Sequence, residues 1–249
     1  MKHLHAHGGY WLLYPDVTHI YPDKSSWQKL EALCPSSFRI LLAGCGTDEP
    51  LLFALLHRQA YIDAVDLSEQ SLKFAKRRIR LARFLGLLQG QNITFHVADV
   101  CEHVQTASQK YHYIQCFGVL HHQPCPQKFF FTLAEALETG GIFRLMFYPQ
   151  SSRKLERGLQ KRFASVWECM PSKNFKNLLT LYWHALLLWS WLCMQRLFCM
   201  RWSRRFRYLH LRPTCVSDAL LHPSDFSVAL TDILIWAQAA HLQLKFIAS

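Results

Sequence analysis

From Phe38 onward, short apolar runs alternate with amphipathic stretches, the pattern of strands and helices taking turns in a parallel sheet. Strands are expected near 38–43, 61–66, 93–98, 112–117 and 141–147. Helices are expected after Asp48, after Ser68 and near Pro126, where a capping side chain or a proline suited to the first turn stands ahead of the apolar periodicity. After Tyr148 the alternation stops for about 75 residues, longer than the connections of compact domains, so an insertion with helices of its own is expected. Alternation resumes at Ser224-Asp225, a candidate N-cap, with a helix to about Ala240 and a last strand over 242–247. Residues 1–37, rich in Tyr, Pro and His, are expected to form a helical or irregular lead-in in which Ser25 and Ser26 can cap a short helix through Leu33.

The chemistry starts where the first strand ends. Phe38-Arg39-Ile40-Leu41-Leu42-Ala43 empties into Gly44-Cys45-Gly46-Thr47-Asp48, and Asp66 follows Gly46 by twenty residues at the end of the next strand. Glycines let the backbone turn tightly and approach a ligand, and an acid at the next strand end can accept from both hydroxyls of a ribose. A dinucleotide site would carry a third glycine at position 49, where Glu49 stands and would repel a pyrophosphate. S-adenosylmethionine carries a sulfonium and an ammonium in place of phosphates, so Asp48 and Glu49 suit it better.

With these residues the chain resembles the class I S-adenosylmethionine-dependent methyltransferases, over roughly Phe38 to Tyr148 and again after Ser224. The resemblance rests on ordered motifs: the glycine turn and Asp66, then Thr94-Phe95-His96-Val97-Ala98-Asp99-Val100, then Tyr113 to His122, then Glu138-Thr139-Gly140-Gly141-Ile142. It implies a Rossmann-like, doubly wound, mostly parallel α/β fold, with a lead-in or lid over 1–37, a core over 38–150 and 222–249, and an insertion over 151–221. It implies S-adenosyl-L-methionine as cofactor, held by Gly44, Cys45, Gly46, Thr47, Asp66, Leu67, Asp99, Val100, Phe117 and Gly118. Asp66 would receive the ribose and Asp99 the adenine amino group, with Leu67 and Val100 flanking the ring. His121 and His122 follow the fourth core strand, near where the methyl group would point; either is a candidate base. Cys116 reads as packing rather than a nucleophile. The segment does not resemble the Asn/Asp-Pro-Pro-aromatic signature of enzymes that methylate base amines.

Two positions depart from the family pattern. Leu42 stands where an acid is common, removing a contact near the methionine part of the cofactor, and Asp48 stands where a glycine is common. A complete class I sheet also has a further antiparallel strand after the last one seen here, and its absence reads as a trimmed sheet or a truncated chain.

Charge changes the picture only in the insertion. The formal net charge is +11, and Arg153 to Arg212 holds 13 Lys or Arg against two acids, so the whole excess sits there together with five of the eight tryptophans. Leu178 to Met194 is nearly all apolar but at the short limit for a bilayer crossing, and the rest of the sheet follows it, so spanning is disfavoured. Three readings stay open: a helix packed on the core, an anionic membrane surface met by Arg201–Arg212, or RNA phosphates met by the same residues with Trp202, Phe206 or Tyr208 stacking on bases. The start lacks a secretory signal pattern, and nine cysteines form no Cys-x-x-Cys pair, which suits a reduced, cytoplasmic protein that can rest on a membrane. His3, His5 and His7 are expected to be solvated, and no metal site is expected. The functional expectation is a methyltransferase acting on a small hydrophobic or lipid-like acceptor, with an RNA methyltransferase, or an inactive binding protein of the same fold, as alternatives.

Overall fold

The computed structural model describes residues 2–8, 38–90, 92–147 and 228–248, with backbone alone for 2–8 and 244–248. The chain divides into two units, Met1–Ser152 with Ser224–Ser249, and Arg153–Pro223. The second lies outside the described residues, as do the expectations for Ser25, Ser26, Leu178–Met194 and Arg201–Arg212.

Numbered in chain order, the described strands are β1 (Lys2–Gly8), β2 (Arg39–Ala43), β3 (Tyr61–Asp66), β4 (Asn92–Val97), β5 (Tyr111–Phe117), β6 (Leu137–Phe147) and β7 (Leu242–Ala248). The described α-helices are α1 (Glu49–Leu56), α2 (Glu69–Phe84), α3 (Val100–Thr106), α4 (Pro126–Glu135) and α5 (Leu230–Ala239). One seven-stranded sheet runs in the order β4-β3-β2-β5-β6-β1-β7, and every described pairing is parallel.

Period-two alternation sends the strand residues to two cores. Ile40, Leu42, Ile62, Ala64, Tyr113 and Ile142 pack with Phe53 and Ala54 of α1 and Leu72, Ile79 and Ala82 of α2. Leu41, Ala43, Val65, Ile114, Cys116, Phe143 and Leu145 pack with Val100 and Val104 of α3, Phe130 and Leu133 of α4 and Ile233 of α5. Helices on both faces make the sheet doubly wound, as expected. The Ser68 hydroxyl accepts from the Ser71 N–H to start α2, and Pro126 occupies the first turn of α4.

Four differences from the sequence reading have local causes. Lys2–Gly8 is a strand rather than helical or irregular, and it lies between β6 and β7, parallel to both. Its sequence alternates His3, His5 and His7 with Leu4 and Ala6, a period of two. Helix α3 was not anticipated; Val100 and Val104, four apart and both buried, form its inward stripe. Strand β6 begins at Leu137, because Tyr111 pairs with Leu137 and Tyr113 with Ile142, so Glu138 to Gly141 bulge out of register. Helix α5 starts at Leu230, where the Ala229 N–H donates to Asp232 Oδ2, rather than directly after Ser224-Asp225.

Candidate active site

The C-terminal ends of β2, β3, β4 and β5 form one sheet edge, and the motif residues gather there. Gly44 (φ +71°) and Gly46 (φ +56°) both take left-handed backbone. The Gly44 and Cys45 amides donate to the Val65 carbonyl at 2.9 and 3.0 Å, fastening the turn to β3. A Cβ on Gly44 would lie 2.2 Å from Val119 Cγ2, so no other residue fits there, whereas a Cβ on Gly46 would meet nothing within 4 Å. The open space beside Gly46 is what close approach of a ligand to the backbone requires.

Asp66 ends β3 with both carboxylate oxygens engaged: Gly46 N–H donates to Oδ2 and Ser68 N–H to Oδ1, each at 2.8 Å. A carboxylate oxygen accepts more than one bond, so each can also receive a hydroxyl. Asp99 caps α3, its Oδ1 accepting from Cys101 N–H at 2.8 Å and Glu102 N–H at 3.2 Å. Leu67 is 69% exposed at this edge, while Val100 is only 5% exposed and belongs to the core. Cys45 is buried in the core under the turn, so only its backbone faces the edge, and burial pushes its thiol well up; Thr47 is half-buried. Phe117 and Gly118 (φ +72°) end β5, and the Arg144 guanidinium lies 4.9 Å from the Phe117 ring centroid. Cys116 is fully buried and burial raises its thiol too, which fits packing.

His121 and His122 sit on a single helical turn, Leu120–His122, with ring centroids 4.0 Å apart. His121 is fully buried and His122 half-buried.

Sequence reasoning missed a polar cluster on the same edge. Leu42, Gln115 and Arg144 stand side by side in register across β2, β5 and β6. Glu49, at the start of α1, reaches this row: Gln115 Nε2 donates to Glu49 Oε1 at 3.5 Å. Glu49 Oε2 is buried with no hydrogen-bond partner among the described residues. Burial pushes the Glu49 carboxyl up to about 8, against the pull of Gln115 and Arg144. The sequence signal was faint: two polar residues inside otherwise apolar strands. Asp48, by contrast, turns outward to pair with Arg78 and has φ −108°, a backbone conformation that does not require glycine.

The sheet order, the glycine turn and the acid at the end of β3 define the core as the class I methyltransferase type of Rossmann-like fold. Residues 40–141 match the family described as "Methyltransferase domain". It is 25% identical over 205 residues to the uncharacterized protein syc1184_c of Synechococcus sp. (strain ATCC 27144 / PCC 6301 / SAUG 1402/1), covering 82% of this chain and 47% of that protein. In structure it is similar to PKMT2 from Rickettsia typhi in complex with AdoHcy, with a TM-score of 0.55 at 16% identity, covering 87% of this chain and 42% of that one. A second structure of PKMT2 gives 0.52 at 19% identity, over 82% and 38%. The chain thus spans about half the length of the curated relative it matches. Among the described residues no helix is long and apolar enough to cross a membrane.

Proposed function

We propose that the chain is an S-adenosylmethionine-dependent methyltransferase whose acceptor is small and hydrophobic or lipid-like. The observation that carries the cofactor is the bond between Gly46 and Asp66, which sets a carboxylate with spare acceptor capacity beside a side-chain-free turn. Gly44, Gly46 and Gly118 shape the site through backbone, Asp66 takes the ribose hydroxyls, and exposed Leu67 and the Asp99 end of β4 flank the adenine. Glu49 replaces the acid missing at Leu42: its buried Oε2 receives the cofactor ammonium from the neighbouring helix. When bound, the cofactor supplies an electrophilic methyl group for in-line transfer. The protein's own part is to hold the acceptor in line and, where the acceptor must lose a proton, to take it at His122, with His121 packed behind.

The apolar run Leu178–Met194 beside the basic run Arg201–Arg212 favours an acceptor held at or near an anionic lipid surface, reached by a cytoplasmic protein. An RNA acceptor using the same basic run is the second reading. The outward turn of Asp48 and the carboxylate at Glu49 weigh against a binding protein that has lost turnover. Calorimetric titration with S-adenosylmethionine and its demethylated product tests the reading. Micromolar binding that Asp66→Ala abolishes supports it, and radiolabelled transfer to lipid or tRNA fractions then separates the acceptors. Folded protein that binds neither compound refutes it.

A further inference from the structure

On the α3 side of the sheet, away from the glycine turn, a second group of side chains converges. Asp63 of β3, His96 of β4 and His103 of α3 each offer one ligand atom, and these atoms lie within 4.8 Å of one another. Asp63 is paired directly with Thr94, which puts His96 next along the same face of β4. Asp63 Oδ1 is 3.4 Å from His96 Nε2, and the two imidazole rings are 4.3 Å apart between centroids. All three residues are half-buried, open enough for an ion to enter.

The surroundings orient this group. Asp63 Oδ2 is held by Arg39 at 2.9 Å and by the Tyr111 hydroxyl, which donates to it at 3.0 Å, and this leaves Oδ1 directed to the histidines. The Tyr111 hydroxyl also lies 3.1 Å from His103 Nε2. Hydrogen bonds of this kind fix metal ligands in their working orientation. Two imidazoles with one carboxylate suit zinc and its neighbours in the first transition row; magnesium and calcium prefer all-oxygen sites.

We propose that Asp63, His96 and His103 form a binding site for a zinc-type divalent transition-metal ion, with three protein ligands and water completing the coordination. The Arg39 charge beside Asp63 tempers the affinity, so the site is an exchangeable one. It ties β3 and β4 to α3. Asp63 lies three residues before Asp66 on β3, and His103 lies one helical turn after the Asp99 cap, so a bound ion would steady the two elements that carry these acids. The proposal does not depend on the methyltransferase reading. No spacing in the sequence marks these ligands, which come from three separate elements.

The test uses the full chain with His3, His5 and His7 changed to Ala, so that the terminal histidines cannot compete. Chelator-treated protein is titrated with Co²⁺, read by visible ligand-field absorption, and with Zn²⁺, read by calorimetry. One equivalent is expected to bind with no thiolate-to-metal absorption, and Zn²⁺ is expected to raise the unfolding midpoint. His96→Gln and His103→Gln, each checked for folding by circular dichroism, should weaken binding more than about a hundredfold, and Tyr111→Phe, which keeps every ligand, about tenfold. Folded parent protein that binds neither ion overturns the proposal. So does binding that survives both histidine substitutions, or that shows thiolate absorption. Should a histidine variant fail to fold, Asp63→Asn with the same titration decides.

Discussion

Gly46 and Asp66, twenty residues apart in sequence, are joined by a 2.8 Å hydrogen bond from the Gly46 amide to Asp66 Oδ2. The carboxylate that would receive a ribose therefore also sets the shape of the turn beside it, with Ser68 N–H holding its other oxygen at 2.8 Å. Asp66→Ala removes both acceptors at once. A charged acceptor is worth about 1.5–3 kcal/mol per bond, so cofactor affinity should fall at least about a hundredfold, and stability by about 1–3 kcal/mol. Calorimetry and denaturant unfolding measure the two. Asp66→Asn, which keeps one oxygen, should lie between the parent and the Ala variant in both. Micromolar affinity retained by Asp66→Ala would remove Asp66 from the ribose site.

At Gly44 the cause is steric. With φ at +71° and Val119 Cγ2 2.2 Å from any Cβ, Gly44→Ala must strain the backbone and displace Val119. The backbone term alone costs about 1–3 kcal/mol. Adding Val119→Ala should recover the part due to the clash and leave the part due to φ. Thermal unfolding of the single and double variants separates them; full recovery in the double variant would mean that φ carries no cost.

Glu49 gives a pH dependence with a definite sign. Its carboxyl is raised by burial to about 8 in the folded chain, so between about pH 4.5 and 8 the folded state holds a proton that the unfolded chain has released. Its contribution to stability is therefore full below pH 4.5 and is lost as pH rises through 8. Glu49→Gln should flatten that decline in denaturant unfolding. A cofactor ammonium would favour the charged carboxylate, so binding near pH 7 should release a proton. The apparent binding enthalpy should then differ between two buffers of unlike ionisation enthalpy. Equal enthalpies in the parent protein would show that Glu49 does not meet the ammonium.

The parts of the fold that were legible are those where one local rule acts alone. Strands 38–43, 61–66 and 112–117 match β2, β3 and β5 within a residue at each end, since mostly apolar runs bounded by Gly, Asp or Phe-Gly leave little choice. Gly44, Gly46 and Asp66 were legible for the same reason: positive φ and a strand-end acid write themselves into residue type. What stayed hidden depends on partners distant in sequence. Strand β1 forms because β6 and β7 offer it an unfilled place, and the Glu138–Gly141 bulge exists because β5 supplies fewer residues than β6. Glu49 looked like an obstacle to pyrophosphate until Gln115 and Arg144, from two other strands, were seen beside it.

The last relationship joins the two ends of the described core. Phe130 of α4 lies 5.4 Å from Phe143 of β6 and 5.8 Å from Trp236 of α5, ring centroid to ring centroid. Phe130 is fully buried, and Trp236 packs on the same core with Ile233 and Ala237. Helix α5 thus packs on one face of a sheet of which every strand but β7 precedes it by more than eighty residues of sequence. Phe130→Ala should cost about 3–5 kcal/mol through the cavity it leaves. A double-mutant cycle with Trp236→Ala should show a coupling of about 0.5–1.5 kcal/mol for the aromatic pair. Additive effects in denaturant unfolding would mean that the Phe130 and Trp236 rings contribute to the core independently, with no direct coupling between α4 and α5 through this pair.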